Sequence, residues 1–96
     1  QTVEPVSVYD AVNENMANTL SIYPNPAVNE TFVTLENAGL NEISVYDIQG
    51  RLVSNHSVMA NEGEQMRLST ETLTKGVYFV TVRNESAVRT AKLVVK

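Results

Sequence analysis

The sequence has no cysteine and no tryptophan, and its single histidine is His56. Without cysteine the protein has no disulfide bond, so its apolar core alone must hold it together. A lone histidine without cysteine nearly excludes zinc sites and Cys–His nucleophilic arrangements. No apolar run approaches the roughly 18 residues that a membrane-spanning helix needs. These absences exclude most metal-dependent and thiol-dependent functions.

Positive charge is also scarce. Seven lysine and arginine residues are scattered along the chain, and the formal net charge is −4. Nucleic-acid binding needs clustered basic side chains that neutralise phosphates, so we expect no nucleic-acid partner. Carboxylates are more numerous, but no pair of them stands beside a plausible acid–base partner. We therefore expect neither catalysis nor a cofactor.

With 96 residues, 43% of them hydrophobic, the chain is long enough for one domain. Residues 1–19 differ from the rest, since residues 10–18 are polar and without period, and we interpret them as a linker or the tail of a preceding domain. Alternating valines in residues 2–9 also suit a short extra strand. The chain begins with Gln1 and ends in strand-like sequence, so we expect a fragment from the end of a longer protein. Residues 20–96 are the predicted domain.

From residue 20 onward, short β-like runs alternate with turn signals. Only residues 69–73 suggest a single helical turn. The spacing predicts an all-β fold, an antiparallel β-sandwich of about seven strands. The predicted strands are residues 20–23, 31–36, 42–47, 51–58, 65–68, 77–82 and 88–96.

The last two predicted strands alternate strictly between apolar and other side chains, which fixes their register. We expect one set to face the core and the other to face outward. The inward set is Tyr78, Val80, Val82, Ala91, Leu93 and Val95, and the outward set includes Thr81, Thr90 and Lys92.

Two turn motifs are predicted to be structural. Asp47 can accept backbone N–H bonds across a turn that Gly50 closes with a positive φ, and Arg51 can pair with Asp47. A calcium site at Asp47 would need further oxygen ligands that the neighbouring sequence does not offer. Gly76 permits a sharp entry into a strand, in which Tyr78 supplies a buried ring with a polar tip.

The motif Pro24-Asn25-Pro26 fixes two φ angles and removes two backbone donors. It cannot lie inside a sheet. We interpret it as a rigid corner at the start of the sandwich; the alternative is a preformed surface for a partner.

Three blocks in this order resemble the C-terminal sorting domain of the type IX secretion system, found in secreted proteins of the Bacteroidetes. The first block is LSIYPNP at residues 20–26. The second is ISVYDIQGRLV at residues 43–53. The third is LTKGVYFVTV at residues 73–82, followed by KLVVK at residues 92–96. The resemblance covers about residues 20–96.

The resemblance implies an immunoglobulin-like β-sandwich that serves as an export signal without catalysis. Its partners would be a cargo domain N-terminal in the same chain, an outer-membrane translocon and a sortase-like peptidase that cuts within or before the linker. The protein would pass through the periplasm and outer membrane to become secreted or held at the cell surface.

The resemblance also implies that the secretion machinery recognises the final strand, at Lys92, Leu93, Val94, Val95 and Lys96. One physical route is the addition of a partner strand to a free strand edge, and open edges would also permit a homodimer. The alternative function is an accessory carbohydrate-binding or adhesive module of a secreted enzyme. That function would require exposed aromatic side chains on one face, and the chain has only two phenylalanines and four tyrosines.

Overall fold

The domain is built from strands alone. A computed structural model of the chain describes residues 20–96, so the predicted linker of residues 1–19 lies outside the described residues. Between residues 20 and 96 there is no helix, and so none that is long and apolar enough to span a bilayer. The strands are β1 (Ile22–Tyr23), β2 (Glu30–Leu35), β3 (Gly39–Asp47), β4 (Leu52–Ala60), β5 (Glu64–Ser69), β6 (Gly76–Arg83) and β7 (Val88–Val95).

The seven strands form two antiparallel sheets. One sheet has the strand order β1-β2-β5, and the other has the order β4-β3-β6-β7. The chain crosses between the sheets after β2, after β4 and after β5. These crossings are the Greek-key connections of an immunoglobulin-like sandwich. The predicted fold class is therefore confirmed.

The core lies between the two sheets and is filled by alternate side chains. The three-stranded sheet contributes Val33 and Leu35, and the four-stranded sheet contributes Ile43 and Val45, all fully buried. Burial of each such side chain stabilises the fold by about 1.5–3 kcal/mol. The six residues predicted to face inward from the last two strands are all buried, as expected: Tyr78, Val80, Val82, Ala91, Leu93 and Val95.

The opposite face of β6 and β7 differs from the expectation in one respect. Lys92 is exposed as predicted and Thr81 is half-buried. Thr90 lies on the same face, but only 5% of its surface is exposed. Alternation along a strand gives the direction of a side chain and contains no information about what lies above it. That is why the burial of Thr90 was not predicted.

Two local predictions are corrected. β3 begins at Gly39, three residues before the predicted start of this strand at residue 42. The helical turn predicted for residues 69–73 is wrong, because Ser69 pairs with Glu30 as the last residue of β5. A simple turn follows, in which the Leu73 N–H donates to the Thr70 carbonyl at 3.1 Å.

Candidate recognition site at the terminal strand

The five residues predicted for recognition lie on β7 and just after it, in two different environments. Leu93 and Val95 are core residues, with 0% and 3% of their surfaces exposed. Lys92 and Lys96 are exposed, and Val94 is half-buried. Only these last three therefore offer side chains to a partner, while the two core residues hold the strand in the sandwich.

The side chain of Asn25 is hydrogen-bonded along the outer edge of β7. Its Nδ2 donates to the Lys92 carbonyl at 2.7 Å, and its Oδ1 accepts the Val94 N–H at 2.9 Å. A carboxamide carries one acceptor oxygen and donor hydrogens, as a peptide unit does. Asn25 therefore takes the place that a neighbouring strand would occupy at this point of the sheet.

Backbone hydrogen bonds extend this contact on both sides of Asn25. Ala27 is fully buried and forms a parallel bridge with Val95. Residues 20–27 therefore run alongside β7 in the same direction. The backbone bonds join Leu20 N–H to the Thr90 carbonyl at 3.1 Å, Ala27 N–H to the Val94 carbonyl at 2.8 Å, and Lys96 N–H to the Ala27 carbonyl at 2.8 Å.

This arrangement changes the expectation of a free edge at β7. A partner strand that paired there would first have to displace residues 20–27, because they already bond to the outward backbone groups of residues 90–96. β4 is the opposite edge of the same sheet, and among the described residues only β3 pairs with it. In the four-stranded sheet, the strand edge available for pairing is therefore β4.

The Pro-Asn-Pro motif explains why a side chain makes these bonds. Proline has no N–H, so Asn25 is the only donor among residues 24–26. Thr31 of β2 is fully buried, and its Oγ1 donates to the Pro24 carbonyl at 2.8 Å, which ties the motif to the other sheet. Sequence analysis identified Asn25 but missed Thr31 and Ala27. An asparagine between two prolines was the available signal for this contact.

The turn after β3 has the predicted geometry. Asp47 Oδ1 accepts the N–H groups of Gln49 at 2.9 Å and Arg51 at 3.0 Å, and Oδ2 accepts Arg51 Nε at 2.9 Å. Gly50 has a φ of 88°. Hydrogen bonds to its carboxylate hold the pKa of Asp47 below its ordinary value of 3.8. The bond from the Arg51 N–H has the largest effect, and those from the Arg51 side chain and the Gln49 N–H come next. Its carboxylate is thus engaged in the turn. No group of three or more possible metal-binding side chains occurs within residues 20–96.

Tyr78 anchors the beginning of β6. Tyr78 is 6% exposed, and its hydroxyl donates to the Thr74 carbonyl at 2.7 Å. A buried tyrosine that bonds to backbone a few residues upstream is typical of immunoglobulin-like sandwiches, where it fixes the corner before this strand. Gly76, with a φ of 152°, makes the turn into the strand. Both residues have the positions predicted from the sequence.

The predicted motifs meet at one end of the four-stranded sheet. Asp47 pairs with Tyr78, and Tyr78 pairs in turn with Leu93. Gly76 pairs with Val95, the residue that bridges to the chain after the Pro-Asn-Pro motif. The first and third blocks therefore flank the second half of β7, and the block that contains Asp47 adjoins it through β6.

Comparison with known proteins gives a family match and a relative. The family model described as "Secretion system C-terminal sorting domain" matches residues 21–96. Beta-agarase A of Zobellia galactanivorans is 32% identical over 76 residues, which are 78% of this chain and 14% of the agarase. The chain thus spans a small part of the length of this relative.

Proposed function

The chain belongs to the family of secretion system C-terminal sorting domains, and from this premise we propose that β7 is the element that the type IX secretion machinery binds. The domain is a type IX sorting signal, which implies a cargo N-terminal to it and a secreted or cell-surface protein. The observation that supports β7 is that the first and third motif blocks flank its second half, with the second block adjoining it through β6.

The side chains at β7 suggest what the partner offers. Lys92 and Lys96 are exposed cations on a chain of net charge −4, and Val94 between them is half-buried. We infer an acidic partner surface with a small apolar contact at its centre. Exposed ion pairs contribute about 0–1 kcal/mol each. Their main effect would therefore be on the rate and orientation of encounter, with backbone contacts adding affinity.

Charge reversal at these lysines tests the proposal. Lys92→Glu and Lys96→Glu should together reduce export of the cargo protein several-fold, while thermal stability stays unchanged because both side chains are exposed. Lys75→Glu is the matched control, since Lys75 is an exposed lysine in the β5–β6 connection. Normal export of the double variant, measured by immunoblotting of culture medium and cell surface, would refute the proposed contact.

We further propose that the domain acts without catalysis and that a sortase-like peptidase removes it by cutting before residue 20. The backbone is hydrogen-bonded to β7 at Leu20 and Ala27. Backbone held in a sheet in this way is not free to enter a protease active site. Mass spectrometry of the released domain should give an N-terminus within or before residues 1–19. A cleavage inside residues 20–96 would contradict the proposal.

Passage through the periplasm and a translocon in the outer membrane is the route we propose for the cargo.

For self-association through sheet edges, we propose β4 as the interface, since residues 20–27 occupy the edge of β7. Met59 of β4 is 75% exposed and Leu52 is 55% exposed, which leaves apolar surface at that edge. Light scattering should then give a concentration-dependent dimer in which only β4 amides gain protection from hydrogen exchange. Protection gained elsewhere would exclude this interface.

The alternative function, a carbohydrate-binding or adhesive module, finds little support in the described residues. Tyr78 and Phe79 are buried in this region, and the largely exposed aromatic residue there is Tyr23, at 77%. One exposed ring does not form the aromatic platform expected on such a face. A glycan array with the whole chain tests this alternative, and specific binding would favour it over the sorting function.

A further inference from the structure

The turn between β3 and β4 presents large apolar side chains to solvent. Ile48, within the turn, is 72% exposed, and Leu52 and Val53 just after it are 55% and 42% exposed. Turns favour small polar residues that bond to the local backbone, and isoleucine has no group that can do so. Single exposed apolar residues are normal, whereas a group of neighbouring ones marks a candidate interaction site. We use the name hairpin tip for residues 48–53.

The hairpin tip is held rigidly by its own turn. The Asp47 carboxylate accepts the N–H groups of Gln49 and Arg51. The Gly50 N–H donates to the Asp47 carbonyl, and the Asp47 N–H donates to the Arg51 carbonyl, both at 2.9 Å. The side chain of Ile48 is β-branched, which restricts its rotamers. A surface that is already ordered loses little conformational entropy on binding. Ile48 is therefore a preorganised apolar anchor.

A β-bulge at the start of β4 increases the exposed apolar surface of the tip. Val45 pairs with Ser54. Tyr46, the next residue, pairs with Leu52, so Val53 is the extra residue on β4. Strict alternation would turn one of Leu52 and Val53 towards the core side of the sheet. Bulges re-aim side chains in this way and are common beside functional sites. The bulge thus allows both side chains to reach solvent.

The hairpin tip lies at the same end of the four-stranded sheet as the second half of β7. Tyr46 pairs with Leu52 of β4 and with Phe79 of β6, and Phe79 pairs in turn with Lys92 of β7. Directly opposite residues point to the same face of a sheet, so Leu52 and Lys92 share a face and a level. Three strand spacings, about 14 Å, separate them. A standard interface covers about 800 Å² on each partner, a patch about 30 Å across. One partner can therefore contact both places.

The charges around the tip indicate the chemistry of that partner. The Asp47 carboxylate is engaged by the turn and by Arg51. The Arg51 side chain is still 75% exposed, so its outer N–H groups can donate to a carboxylate of another protein. Lys92 and Lys96 add exposed cations at the same end of the sheet. A membrane surface would require a denser cluster of basic residues. The surface fits a protein whose apolar pocket is bordered by carboxylates.

We propose that the hairpin tip is a second contact of this domain with the protein that binds β7, and that Ile48 enters an apolar pocket on that protein. The inference rests on the proposed sorting function, because both contacts belong to one partner. Contact along a single strand leaves the domain free to rotate about that strand. A second contact about 14 Å away fixes the orientation of the domain on its partner.

Photo-cross-linking in secreting cells tests the proposal on the whole chain with its cargo. A benzophenone amino acid in place of Ile48 and, separately, in place of Lys96 should cross-link to the same protein of the secretion machinery. Replacement of Leu40 is the control, since Leu40 is 61% exposed at the opposite end of β3, and it should give no such product. A product from position 96 without one from position 48 would overturn the hairpin contact and leave the sorting function standing. Products from position 48 with lipid alone, or with a second copy of the chain alone, would also overturn it.

A serine substitution provides a second measurement. Ile48→Ser should reduce export of the cargo about fivefold, because it removes the apolar anchor. Its Tm should stay unchanged, since the side chain is exposed and serine is common in turns. Leu40→Ser is the matched control and should be exported normally. Equal export of these two variants, while the Lys92→Glu and Lys96→Glu double variant is impaired, would refute the hairpin contact alone. Normal export of all three variants would refute the contact at β7 as well.

Discussion

Replacing Asn25 with alanine removes the two side-chain hydrogen bonds at the outer edge of β7. The lost bonds are those to the Lys92 carbonyl at 2.7 Å and from the Val94 N–H at 2.9 Å. Both lie at the protein surface, so water can partly replace them. A net loss of about 0.5–1 kcal/mol for each bond gives a destabilisation of about 1–2 kcal/mol. For a domain of this size, that corresponds to a fall in Tm of about 5–10 °C.

The assay is urea or thermal unfolding followed by far-UV circular dichroism, since the chain has no tryptophan to report by fluorescence. Hydrogen exchange at the Val94 amide gives the local readout, because this amide loses its acceptor in the variant. The control is Asn61→Ala. Asn61 is an exposed asparagine whose backbone, and not its side chain, makes hydrogen bonds.

The reasoning fails if Asn25→Ala unfolds at the same urea concentration as Asn61→Ala and leaves exchange at Val94 unchanged. Asn25 would then only fill space at the corner, and the edge of β7 would not depend on it. A fall in stability together with faster exchange at the Leu93 or Val80 amides would indicate general unfolding instead of local release. The predicted pattern is faster exchange at residues 94–96 alone.

Three further outcomes follow from the turns around the candidate site. Tyr78→Phe removes the bond to the Thr74 carbonyl and should cost about 1–2 kcal/mol in urea unfolding. Gly50→Ala should cost about 1–2 kcal/mol, because φ is 88° and no atom lies within 4 Å of an added Cβ, so the cost is conformational and not steric. The folded-state pKa of Asp47 is lowered, so its stabilisation is complete above the ordinary pKa of 3.8 and is lost as pH falls through the lowered value. Asp47→Asn should therefore flatten the acid limb of a stability–pH profile, and an unchanged limb would contradict this assignment.

The parts of the fold that depend on local sequence were predictable. The alternation in residues 77–82 fixes which side chains of β6 face the core, because a one-residue shift would expose every valine. The turn at Asp47 was predictable for a related reason: its hydrogen bonds span at most four residues. In both cases few conformations compete with the native one, and each of them is much higher in free energy.

The contacts of Asn25 were not predictable in the same way. They join residues 67 and 69 positions apart, and no local propensity contains this information. The sequence indicated only that a donor stood between two residues without N–H groups. Similarly, strand periodicity gives the direction of the Thr90 side chain and does not give its burial. The ends of β3 and β4 extend beyond their predicted limits because pairing between neighbours, such as Gly39 with Ala60, continues past the apolar run.

The parallel course of residues 20–27 along β7 has a mechanical consequence. A pull on the chain before Leu20, with the strand held at Lys96, acts at opposite ends of two side-by-side segments. The hydrogen bonds at Thr90, Val94 and Lys96 are then loaded in shear, so they must break at the same time and not one after another. Forced unfolding depends on the barrier to that first rupture. If a cargo were pulled along behind this domain, the domain would therefore resist unfolding most strongly in the direction of transport.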